Sequence, residues 1–146
     1  MMMECVTPIV TRRNPTWKQP TGAFRTMATI LIIDDEEGIR ALLRTTLEAA
    51  GHEVVEAANG RIGLELYRLR PTDLIITDIL MPELNGLDLI LALTRQFLHA
   101  KVIAMTGGGA ETNVLDVAKL LGARRTFQKP LSMPQLLEAV RYELAH

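Results

Sequence analysis

From residue 30 to the end of the chain, short apolar runs alternate five times with stretches whose apolar residues recur at helical spacing, and few folds accept that pattern. Ile30, Leu31, Ile32 and Ile33 read as a strand buried on both faces. Residues 37–50 carry Ile39, Leu42, Leu43 and Leu47 on one helical face, and Gly51 suits the stop. A second strand over 53–57 precedes a helix over 61–69 that ends before Pro71. Strand 74–77 then leads to helix 86–96, with Leu87, Ile90, Leu91 and Leu93. Strand 102–105 leads to helix 112–121, closed by Gly122. Strand 125–128 leads to helix 134–144, with Leu136, Leu137, Val140 and Leu144 on one face.

Five βα units need crossover connections, which predicts an α/β fold: a three-layer (βα)5 doubly wound parallel sheet. The first, third and fourth strands are nearly all apolar, whereas the second carries Glu53 and Glu56 and the fifth Arg125 and Gln128. Polar strands suit sheet edges, so the expected order is the flavodoxin-like 2-1-3-4-5. In that order the chain reverses direction between strands one and three. Ligands bind at such a point, beyond the carboxyl ends of the strands.

Residues 1–27 lack this period. The first 26 hold Pro8, Pro15 and Pro20, the basic residues Arg12, Arg13, Lys18 and Arg25, and one acid, Glu4. They are expected to form a flexible extension, or residues upstream of a start at Met27, leaving 28–146 as the domain. Their order of charge and apolar residues does not fit a secretory signal, and no run of about 18 apolar residues suggests a membrane span. A net charge of −1 gives no electrostatic footprint for nucleic acid. Cys5 is the single cysteine, which excludes an internal disulfide and suits a reducing, cytoplasmic setting. His52, His99 and His146 show no metal-ligand spacing.

The chemistry is concentrated at one rim. Strand one ends in Asp34 and Asp35, strand three in Asp78, strand four in Thr106, and strand five in Lys129 and Pro130. One Asp after a strand is commonly a helix cap or turn former. Several on one rim are harder to accommodate, because two like charges about 4 Å apart repel by roughly 4 kcal/mol at an effective dielectric near 20. Asp34, Asp35 and Asp78 against Lys129 leave a deficit that a divalent cation would neutralise. All-oxygen ligands with no nearby Cys or His favour magnesium, or manganese, over zinc. Such a site points to phosphoryl chemistry, with an Asp carboxylate as nucleophile, Lys129 neutralising charge and the Thr106 hydroxyl bonding a phosphoryl oxygen.

These residues resemble the receiver domains of bacterial two-component response regulators. The matching segments are Ile32-Ile33-Asp34-Asp35-Glu36, Asp78-Ile79-Leu80-Met81-Pro82 with Gly86, Met105-Thr106-Gly107, and Lys129-Pro130, spread over essentially the whole patterned chain. The resemblance implies that Asp78 is the phosphoacceptor, receiving its group from a phosphohistidine on a sensor histidine kinase or phosphotransfer protein. It implies magnesium held by Asp35, Asp78 and the Leu80 carbonyl, with Asp34 acting through water. Thr106 would move towards the phosphoryl group, Lys129 would pair with it, and the peptide bond before Pro130 would be cis. Recognition of an unknown downstream protein would fall on the surface built by the fourth helix, fifth strand and fifth helix.

Two positions depart from the pattern. The receiver family often places an aromatic switch residue three before the lysine, where this chain has Thr126. Phe127 should face the opposite side of the strand and join the core. Gly107, Gly108 and Gly109 follow the switch threonine; they read as a loop before the fourth helix, with remodelling on phosphorylation as the alternative. Arg124 and Arg125 are expected to be solvated surface charge, or else to pair with acids on a partner. With the chain ending just after the fifth helix, the output is expected to be protein contact or a phosphorelay step, with neither nucleic acid nor membrane engaged directly. Two rival readings are an aspartate-nucleophile phosphohydrolase, which would want a second Asp where Leu80 stands, and a binding module that needs no phosphorylation.

Overall fold

A computed structural model describes residues 28–107 and 112–146; the expectations for residues 1–27 and for Gly108 and Gly109 lie outside the described residues. The five strands are β1 (Thr29–Ile33), β2 (Glu53–Ala57), β3 (Leu74–Asp78), β4 (Val102–Thr106) and β5 (Arg125–Gln128). The helices between and after them are α1 (Glu37–Ala49), α2 (Gly60–Leu69), α3 (Gly86–Gln96), α4 (Thr112–Leu121) and α5 (Met133–Ala145). All neighbouring strands are parallel, in the order β2-β1-β3-β4-β5. The strand composition predicted this order, with the apolar strands inside and the polar ones at the edges.

Alternation along the strands divides the core in two. Leu31, Ile33, Ile75, Val102 and Ala104 face one side and pack with Tyr67, Leu89, Ile90, Leu93 and Ala118 of α2, α3 and α4. Ile30, Ile32, Ile76, Ile103 and Met105 face the other, against Leu43 and Leu47 of α1 and Leu136, Ala139 and Val140 of α5. Gly51, with φ at 99°, ends α1 as its position predicts, donating its N–H to the Glu48 carbonyl.

Three details differ from the sequence reading. The apolar spacing places Leu42 on the inner face of α1, but its side chain is 46% exposed, because Leu43 and Leu47 already fill the contact with the sheet. The buried face of α5 includes Glu143, which an apolar period passes over. Its carboxylate takes Arg124 Nη1 at 3.2 Å and Arg125 Nε at 3.0 Å, so both arginines are paired within the chain rather than simply solvated. Finally, Phe127 does face α5, as strand alternation requires, but it is only half-buried and lines an open groove.

The fold fixes the loop after β3 through one close approach. Gly86 opens α3 with its N–H donated to the Ile79 carbonyl at 2.7 Å. A Cβ at that position would sit 2.5 Å from the Asp78 carbonyl oxygen and 2.5 Å from Ile79 Cα, both backbone atoms that cannot step aside. Gly86→Ala is therefore expected to destabilise the protein by about 1–3 kcal/mol in denaturant unfolding. Unchanged stability would show that this backbone contact is not tight.

Candidate functional site

The carboxyl ends of β1 and β3 meet at the point where the sheet order reverses, and the Lys129 side chain reaches it from the end of β5. Asp34 and Asp35 follow β1, and Asp78 is the last residue of β3. One carboxylate oxygen from each lies within 4.8 Å of the others. Asp34 is fully buried and Asp78 almost so, while Asp35 is exposed. Together with Glu36, Leu80, Gly107 and Lys129, Asp35 and Asp78 line an open cleft of about 240 Å³.

Each acid has a distinct set of partners. Asp34 has both oxygens engaged: Oδ1 accepts the Glu36 N–H at 2.8 Å and Oδ2 accepts Lys129 Nζ at 3.0 Å. Asp78 Oδ1 accepts the Ile79 N–H at 2.9 Å, and its Oδ2 lies 3.6 Å from Lys129 Nζ. Lys129 arrives from β5, where its N–H is donated to the Thr106 carbonyl at 2.8 Å, and the peptide bond to Pro130 is cis. Burial alone would lower the ammonium's pKa, but its hydrogen bond to Asp34 and the charges of Asp78 and Asp34 outweigh that and raise it. For Asp78, burial and then the charge of Asp34 push the carboxyl up to about 6, against the smaller opposing effects of Lys129 and the Ile79 N–H.

Thr106 ends β4 fully buried, and among the described residues its Oγ1 has no hydrogen-bond partner. A buried hydroxyl left unpaired costs about 1–3 kcal/mol, so it is a group in want of an acceptor. The donor set fits a divalent cation of the magnesium class: three carboxylates, all oxygen, crowded enough to help raise the pKa of Asp78. The Leu80 backbone borders the same cleft. The structure thus gathers Asp34, Asp35, Asp78 and Lys129. Thr126 lies apart, half-buried and paired with Ala104.

Glu36 belongs to the segment that carries the resemblance, which gives it no role; its Oε1 lies 3.3 Å from Lys129 Nζ. It occupies the N-cap of α1, where Glu is a poor capping residue, and makes no side-chain cap. That mismatch was the available signal.

With this geometry in view, the likeness to known proteins is specific. Residues 30–141 match the family described as response regulator receiver domain, and the chain belongs to that family. It is 35% identical over 112 residues to chemotaxis protein CheY of Thermotoga maritima, covering 76% of this chain and 92% of the relative. It is 36% identical over 121 residues to protein PilH of Pseudomonas aeruginosa, covering 82% and 99%. Among solved structures, a response regulator receiver domain from Clostridium thermocellum superposes with a TM-score of 0.76 at 32% identity, over 81% of this chain and 94% of that one. The phosphohydrolase and phosphorylation-independent readings are not favoured. Among the described residues, no helix is long and apolar enough to cross a membrane.

The raised pKa of Asp78 gives stability a definite pH dependence. The native carboxyl holds its proton more tightly than the unfolded one, so stability falls as pH rises from near 3.8 through about 6. Above that window the cost is complete. Asp78→Asn removes it, and in metal-free buffer at pH 8 should be more stable than the wild type by on the order of 3 kcal/mol, an advantage that vanishes near pH 4. His52, whose pKa is lowered mainly by burial, contributes with the opposite sign, and the difference between the two proteins cancels it. A constant difference at both pH values would contradict the crowding of the rim.

Proposed function

We propose that this chain accepts a phosphoryl group on Asp78 from a phosphohistidine of a sensor histidine kinase or phosphotransfer protein, and signals through protein contact or a phosphorelay. The observation that carries this reading is the gathering of the Asp34, Asp35 and Asp78 carboxylates within 4.8 Å, with Lys129 beside them. In the transfer, a carboxylate oxygen of Asp78 attacks phosphorus. The new O–P bond forms as the donor's N–P bond breaks, and the imidazole leaves with its electron pair.

The other side chains act on the charge that moves. Lys129 neutralises a phosphoryl oxygen while keeping its bond to Asp34. The unpaired Thr106 hydroxyl donates to a phosphoryl oxygen, which supplies the acceptor it lacks. Asp35, Asp78 and the Leu80 carbonyl would hold magnesium (manganese as the alternative), with Asp34 reaching it through water because both its oxygens are already engaged. Such an ion supplies charge neutralisation at the phosphoryl oxygens.

The signalling unit is assigned to residues 28–146, with 1–27 as an extension, working in the reducing cytoplasm. Output is assigned to the α4-β5-α5 face. A groove of about 350 Å³ lined by Arg125, Phe127, Gln135, Glu138, Ala139 and Tyr142 supports that choice, as does Arg125 lying 4.9 Å over the Tyr142 ring. With Thr126 at the usual aromatic position, the signal would run through Thr106 and Thr126 without an aromatic rotation.

Incubation with acetyl phosphate and magnesium should add one phosphoryl group, about 80 Da, to the wild type and nothing to Asp78→Asn, read by intact-protein mass spectrometry. A modified Asp78→Asn, or an unmodified wild type, would refute the proposal.

A further inference from the structure

Three carboxylates surround the Lys129 ammonium, and they are unequal. Asp34 lies at 3.0 Å with its side chain fully buried, Glu36 at 3.3 Å with its side chain 62% exposed, and Asp78 at 3.6 Å. An ammonium has three protons to donate. The two shorter contacts therefore draw it towards Asp34 and Glu36 and away from the nucleophile. The Asp34 contact is shielded from water and costly to break. The Glu36 contact faces solvent and is worth little.

Glu36 has no competing task on its own helix. Its N–H is donated to Asp34 Oδ1 and its carbonyl accepts the Arg40 N–H, so the backbone is held from both sides. Its side chain makes no cap on α1 and turns instead to Lys129. A fourth carboxylate is thereby added to a rim that three already crowd, and it sits on the ammonium that approaches Asp78.

We infer that Glu36 is a positioning residue that parks Lys129 at the mouth of the cleft and competes for it with a phosphoryl group on Asp78. The inference rests on the phosphoacceptor reading and deepens it. When a doubly charged phosphoryl group occupies Asp78, Lys129 keeps its buried bond to Asp34 and gives up Glu36, whose carboxylate is left in water at small cost. The exposed partner is the one exchanged because it is the one that water can replace. Glu36 thus weakens the hold on a phosphoryl group without touching it.

The test uses the full chain, with beryllium fluoride and magnesium as the probe of the phosphoryl-bearing state, titrated by calorimetry. Glu36→Gln should take up the probe about threefold more tightly than the wild type or better. Glu36→Asp keeps the charge but withdraws it from Lys129, and should tighten uptake likewise; neither variant should lower the melting temperature without probe. A Glu36→Gln protein that binds as the wild type or more weakly would overturn the inference, and so would a Glu36→Asp protein that stays at the wild-type affinity. Asp78→Asn separates the two levels. If the wild type takes up no probe, the phosphoacceptor reading and this inference fall together. If the wild type binds, Asp78→Asn does not, and Glu36 has no effect, only this inference falls.

Discussion

Repulsion among the carboxylates of Asp34, Asp35 and Asp78 is the constraint around which the rest of this molecule is arranged. Two of the three are buried, and the ammonium nearest them is shared with Glu36. At an effective dielectric near 20 each close pair costs several kcal/mol, which a domain of marginal stability does not carry without a use for it. The consequence appears at Asp78, whose carboxyl is pushed up to about 6 by burial and by the charge of Asp34. Above that pH the carboxyl is ionised and the repulsion is carried in full, so positive charge brought into the cleft would relieve it.

The fold makes this crowding unavoidable. In the order β2-β1-β3-β4-β5, β1 and β3 are neighbours, so the residues that follow one and end the other are brought side by side. Gly86 returns the chain close under Asp78, and the Lys129 N–H bond to the Thr106 carbonyl holds the lysine at the same rim. Behind these polar ends the strands are almost wholly buried, so the acids stand on a rigid apolar base. The site owes its precision to strand ends and the residues directly after them.

Much of this was legible in the residues themselves. Apolar runs such as Ile30 to Ile33, set against helical periods, carry the architecture because burial on two faces leaves no polar position in a central strand. The rim acids were legible for the same reason: Asp34 and Asp78 interrupt apolar runs where the strands end. Charges whose partners are distant in sequence are not legible in this way. Glu143 follows Leu136, Ala139 and Val140 on the inner face of α5, yet it reads as surface until Arg124 and Arg125 are seen to meet it. Glu36 has no evident role beside the N-terminus of α1 until Lys129 arrives from the far end of the chain. Leu42 erred the other way, an apolar residue at helical spacing for which the sheet had no room.

The most direct test of this account is magnesium binding measured by calorimetry at pH 8, comparing the wild type with Asp35→Asn. Relief of carboxylate repulsion predicts a single site in the wild type and a loss of at least about tenfold in affinity in the variant. Equal affinity in the two proteins, or no binding in the wild type, would mean that the acids are held together for some reason other than a doubly charged ion.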